Sequence, residues 1–152
     1  MSIEEKLKEL GIELQTPASP VANYIPVQQT GNLIYLSGQG PRDEEGNFIT
    51  GKVGADISAE QAYDLSRNTA VNLISAMKSY LGSLERVVKI VKVFGMVNAT
   101  SDFTDHPKVI NGCSDFFVEV FEDKGRHARS AVGMGSLPNN MAVEIEIIVE
   151  VS

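Results

Sequence analysis

From Val143 to Val151 the odd positions Val143, Ile145, Ile147, Val149 and Val151 are all apolar, while Glu144, Glu146 and Glu150 take even ones. A period of two predicts a strand with one face in a core and a polar face opposite. The residues before it, from Gly125, read as another strand joined to this one by a short turn. Arg86–Asn98 carries valine and isoleucine on both faces, which predicts a central strand covered on at least one side by helices. Near the N-terminus, strands are expected around Tyr24–Gln29 and at Asn32–Ser37. Gly38-Gln39-Gly40-Pro41 is expected to break the second, and Phe48-Ile49 to form a short edge strand.

A period near 3.6 marks the helices. Ser58 with Gln61 forms a capping-box start, followed by Ala62, Leu65, Thr69, Leu73, Met77 and Tyr80, with Gly82 as the stop. A second long helix starts at Thr104 or Asp105, has Pro107 in its first turn and ends near Gly125; its apolar face includes Val109, Cys113 and Val120. Ser2 and Glu5 cap a short first helix closed by Gly11, after which Pro17 and Pro20 favour extended chain. The pattern predicts an α+β fold of one domain, residues 1–152, with residues 1–20 as a helical and extended appendage. Two long helices cover one face of the sheet. The other face has only the first helix to offer, so self-association is expected.

Composition narrows the function classes. A chain of 152 residues suits one core. No apolar run is long enough for a membrane span, and Cys113 is the only cysteine, so a soluble protein in a reducing, cytoplasmic setting is expected. The formal net charge of −7 argues against reliance on nucleic-acid phosphates. Neither His106 nor His127 has the partner spacing of a metal site, and no cofactor is expected. Cys113, on an apolar helix face, reads as a buried thiol. Arg129 shares its strand face with Ala131, Gly133 and Gly135. A long cation beside a lane of little bulk suits a small anionic ligand, or is an ordinary surface arginine in a glycine-rich strand.

The motifs Ala128-Arg129-Ser130, Leu137-Pro138 and Val143-Glu144-Ile145-Glu146, with NLIYLSGQGP upstream, together resemble the Rid family, the reactive intermediate deaminases, also called YjgF-like or L-PSP endoribonucleases. The resemblance spans about Tyr24 to Val151. It implies a chorismate-mutase-like fold, a homotrimer whose sheets form a central barrel, and ligand clefts between neighbouring subunits. It also implies hydrolysis of enamines and imines such as 2-aminoacrylate to a 2-keto acid and ammonia. By the same resemblance Arg129 matches the substrate-carboxylate arginine and Glu144 the acid near the attacking water. Tyr24 and Ser37 line the cleft, and Gly38 presents backbone to the ligand. Asn111 matches a family asparagine if one residue is inserted before Gly125. Ala131 stands where a cysteine is frequent, and Ala22-Asn23-Tyr24 replaces Gly-Pro-Tyr.

Such chemistry needs a carboxylate clamp, a positioned water and a proton acceptor, with no covalent nucleophile. Two other readings stay open. One is a non-catalytic trimer that binds small carboxylates or docks a partner. The other, single-strand RNA cleavage as the older family name has it, lacks a basic groove and a histidine pair.

Overall fold

The computed structural model describes residues 1–17, 19 and 22–152. Pro20, one of the two prolines expected to keep the chain extended, lies outside them. Five strands, β1 (Val27–Thr30), β2 (Leu33–Gln39), β3 (Val87–Asn98), β4 (Ala128–Met134) and β5 (Val143–Val151), form a mixed sheet in the order β1-β2-β5-β3-β4. β3 and β4 run parallel, and the other neighbours run antiparallel. The helices are α1 (Ile3–Glu9), α2 (Ala59–Leu81) and α3 (His106–Phe121). The fold is α+β, with α2 and α3 on one face of the sheet, as the periodicities require.

Local chemistry sets the helix boundaries. Both members of the capping box are formed at Ser2/Glu5 and at Ser58/Gln61, so two orphan backbone donors are satisfied at each start. Gly82, at φ 79°, ends α2 in a conformation that costs glycine nothing. At α3 the cap position is Asp105, but its side chain makes no capping bond, and Pro107 supplies the preset backbone angle instead. The core lies between sheet and helices, where Val143, Ile145 and Ile147 of β5 meet Leu73, Ile74 and Phe116.

Four expectations need correction. β4 and β5 are not a hairpin: β3 lies between them, and the connection through the 3-10 turn Pro138–Asn140 crosses its end. β1 starts only at Val27, because Pro26 has no N–H to give a ladder, and Tyr24 lies before the strand. β2 does not break at Gly38 but runs to Gln39 across a bulge, with the register to β5 shifting between Leu36 and Gln39. Phe48 and Thr50 make isolated bridges, to Arg42 and Met141, rather than a strand.

Helix α1 is docked on the helix side. Leu7 is 2% exposed within the main core, a burial worth about 2 kcal/mol, and Glu4 accepts from Lys78 Nζ at 3.1 Å and from the Leu84 N–H at 2.8 Å. The second face of the sheet is therefore left without a helix, and Tyr35 on it is 44% exposed.

Candidate functional site

Alternation along β5 sends Val143 and Ile145 into the core and Glu144 to the open face, where its register partner in β3 is Met96. The bulge in β2 brings Gly38 against the Glu144 side chain. A Cβ at Gly38 would stand 2.8 Å from Glu144 Oε2, so the residue must be glycine for the carboxyl to lie where it does. A cavity of about 400 Å³ opens here, lined among others by Tyr24, Ser37, Gly38, Arg42, Phe48 and Glu144. Ser37 Oγ donates to the Ile25 carbonyl at 2.8 Å, which ties the Tyr24 segment to β2. Burial raises the pKa of Glu144, and the neighbouring charge of Glu146 adds to the rise. No side-chain hydrogen bond holds Glu144 among the described residues. A larger cavity, about 620 Å³, is lined by Arg42 too, but Glu13, Asp43, Glu44 and Glu45 line it as well and oppose an anionic ligand.

Arg129 sits elsewhere. Its register partner Val93 and the β5 residue paired with Val93, Ile147, both point into the core, so Arg129 faces the helices. Arg129 Nη1 donates to Asn111 Oδ1 at 2.8 Å and to Ser114 Oγ at 3.1 Å, both on α3. Ser114 Oγ is also 2.8 Å from His127 Nε2, and His127 Nδ1 is 2.6 Å from the Gly125 carbonyl. A carbonyl only accepts, so Nδ1 carries the proton; burial lowers the His127 pKa and favours a neutral ring whose Nε2 accepts from Ser114. Each partner is satisfied, and the chain of bonds fixes the guanidinium by one end. With Nη1 occupied, the Nε and Nη2 edge keeps the parallel donors that a carboxylate needs.

The lane beside Arg129 is less empty than its sequence suggests. Ala131 packs on the core, and the ring of His106 lies against Gly133, where a Cβ would collide with Nε2. Only Gly135 has open space beside it. Cys113 is buried, and burial pushes its thiol pKa up, out of nucleophilic range.

The site residues thus form two groups. Tyr24, Ser37, Gly38 and Glu144 share the open-face cavity, whereas Arg129 and Asn111 meet on the helix face, and a single chain does not bring Arg129 to Glu144. Ser114 and Arg42 were not singled out from the sequence. Ser114 stands three residues after Asn111, on the same helix face, a spacing that could have marked it. No cluster of three or more His, Cys, Asp or Glu side chains suited to a metal occurs among the described residues.

Residues 4–151 match the family model described as "YjgF/chorismate_mutase-like, putative endoribonuclease". The chain belongs to the Rid/YjgF-like family. Among curated relatives, this Rid/YjgF-like chain is 38% identical over 151 residues to Protein TCP17 of Trypanosoma cruzi, covering 99% of this chain and 94% of that one. It is 32% identical over 139 residues to the 2-iminobutanoate/2-iminopropanoate deaminase of Dermatophagoides farinae, covering 90% and 93%. The crystal structure of Atu1372 from Agrobacterium tumefaciens superposes with a TM-score of 0.92 at 41% identity, covering 99% of this chain and 92% of that one. As in the family description, the fold is chorismate-mutase-like, and no helix is long and apolar enough to cross a membrane among the described residues.

Proposed function

We propose that this Rid/YjgF-like protein hydrolyses reactive enamines and imines, such as 2-aminoacrylate and its tautomer 2-iminopropanoate, to a 2-keto acid and ammonia. The reaction occurs in clefts between subunits of a homotrimer, where the Arg129 edge of one chain meets the Glu144 cavity of its neighbour. The observation that carries this reading is the Glu144 carboxyl, half-buried, raised in pKa and facing a cavity with no hydrogen bond to occupy it among the described residues. A deaminase among the relatives supports the chemistry.

In the mechanism, the free edge of Arg129 takes the substrate carboxylate through two parallel N–H···O bonds and orients the C=N carbon. Glu144 accepts a proton as water adds to that carbon. Glu144 returns that proton to the imine nitrogen, which gives the neutral carbinolamine; it then carries the hydroxyl proton to the amine, and the C–N bond breaks as the carbonyl forms and ammonia leaves. Gly38, Ser37 and Tyr24 line the cavity. The raised pKa suits Glu144 for taking and returning a proton closer to neutrality than an exposed carboxyl could.

The test is Glu144→Gln, assayed by ammonia release from an enamine generated in situ and by titration with 2-oxobutanoate. Loss of a general base predicts a fall in turnover of about 10²-fold or more, with keto-acid binding largely kept. Full turnover in the variant would remove Glu144 from the chemistry.

A further inference from the structure

The cavity that holds Glu144 also holds a cation that the hydrolysis above does not use. Arg42 lines it with Phe48, and the guanidinium stacks 3.9 Å above the Phe48 ring centroid. Arg42 Nη1 donates to the Gly46 carbonyl at 2.7 Å. Its main chain is held from both sides by one side chain: the Arg42 N–H donates to Asn68 Oδ1 at 2.8 Å, and Asn68 Nδ2 donates to the Arg42 carbonyl at 3.1 Å. Asn72 fixes that clamp in turn, with its Nδ2 3.3 Å from Asn68 Oδ1 and 2.9 Å from the Gly40 carbonyl.

A surface arginine in so acidic a chain ordinarily finds a carboxylate, and three follow directly, Asp43, Glu44 and Glu45. None lies within 4 Å of the Arg42 nitrogens, since the ion pairs among the described residues involve other side chains. Asp43 Oδ1 is turned inward to accept from the Glu45 and Asn47 N–H groups instead. The sequence therefore builds a rigid platform for a guanidinium that lines the cavity of the candidate general base as well as the neighbouring acidic one, and no ion pair holds it among the described residues.

We propose that Arg42 is a specificity residue that binds a second carboxylate, so that the substrates best suited to this protein are imines of dicarboxylic 2-amino acids. The inference rests on the Glu144 cavity being the reaction site. Arg129 of the adjoining chain takes the carboxylate next to the imine carbon, and Arg42 takes the one at the far end of the side chain. Its planar fork is the shape that a carboxylate meets with two parallel hydrogen bonds, and the ring beneath it removes little of that edge. A cavity of about 400 Å³ also exceeds the need of a three- or four-carbon monoacid and accommodates a five-carbon diacid.

Calorimetric titration of wild type, Arg42→Ala and Arg42→Gln with 2-oxobutanoate and with 2-oxoglutarate decides the matter. Wild type is expected to bind the diacid about tenfold or more tightly than the monoacid. Both variants should lose that margin through the diacid alone, with 2-oxobutanoate affinity unchanged. A preference retained by both variants overturns the assignment, as does equal weakening of both acids, which would make Arg42 the anchor of the shared carboxylate. Wild type that binds the monoacid but does not favour the diacid defeats only the role of Arg42. Wild type that binds neither acid defeats the reading of the cavity as well.

Discussion

Glu144 combines burial with a like charge two positions on, Glu146, and both effects raise its pKa above the reference carboxyl value of 4.5. A carboxyl whose folded pKa is raised binds its proton more tightly in the native state than in the unfolded chain, so it costs stability as pH rises from 4.5 through the folded value. Glu144→Gln cannot ionise and escapes that cost. Chemical denaturation should accordingly find the variant and wild type alike near pH 4, with the variant the more stable near pH 7.5. Equal stabilities at both pH values would show that Glu144 titrates as an exposed carboxyl. Strand alternation marked the faces on which Glu144 and Arg129 lie, whereas their roles in a site came from the resemblance to the family and not from the pattern. Arg42 and Ser114 stayed hidden, since their meaning depends on Phe48, Asn68 and His127, which only tertiary packing brings to them.

At the level of elements, helix boundaries were legible wherever a local bond makes them, as at Ser58 and Gln61. Pairing was not. β4 and β5 follow each other in sequence and resemble a hairpin, yet β3 inserts between them, because a central strand with two apolar faces is better buried with neighbours on both sides. The glycines of NLIYLSGQGP suggested a break, and the strand instead uses Gly38 to admit the Glu144 side chain at a bulge. A further close approach, between α2 and α3, had no sequence signal: Gly112 lies against the Tyr63 carbonyl, and a Cβ there would collide with backbone rather than with a movable side chain. Gly112→Ala should therefore destabilise the fold by about 1–3 kcal/mol, or more if the helices cannot part, despite the gain in helix propensity. A denaturation midpoint equal to that of wild type would contradict so tight a crossing.

The whole molecule presents two separate groups of candidate site residues and one sheet face that the described helices leave uncovered. Tyr35 and Val88 are exposed, at 44% and 39%, on a sheet that its own helices cover from one side only, and α1 adds itself to the already covered side. Arg129 faces the helices while Glu144 faces the opposite way. A trimer that buries the open face and sets the Arg129 edge of each chain at the next chain's Glu144 cavity accounts for both features together. The measurement that bears most directly on this arrangement is complementation between Arg129→Ala and Glu144→Gln, each assayed for ammonia release alone and after co-expression in equal amounts. With residues shared across the boundary, about a quarter of the clefts in randomly mixed trimers regain both an intact Arg129 and an intact Glu144. Activity near that fraction of wild type is expected from two variants that are each nearly inactive. Co-expressed chains that form mixed oligomers yet show no more activity than the variants alone would contradict this arrangement.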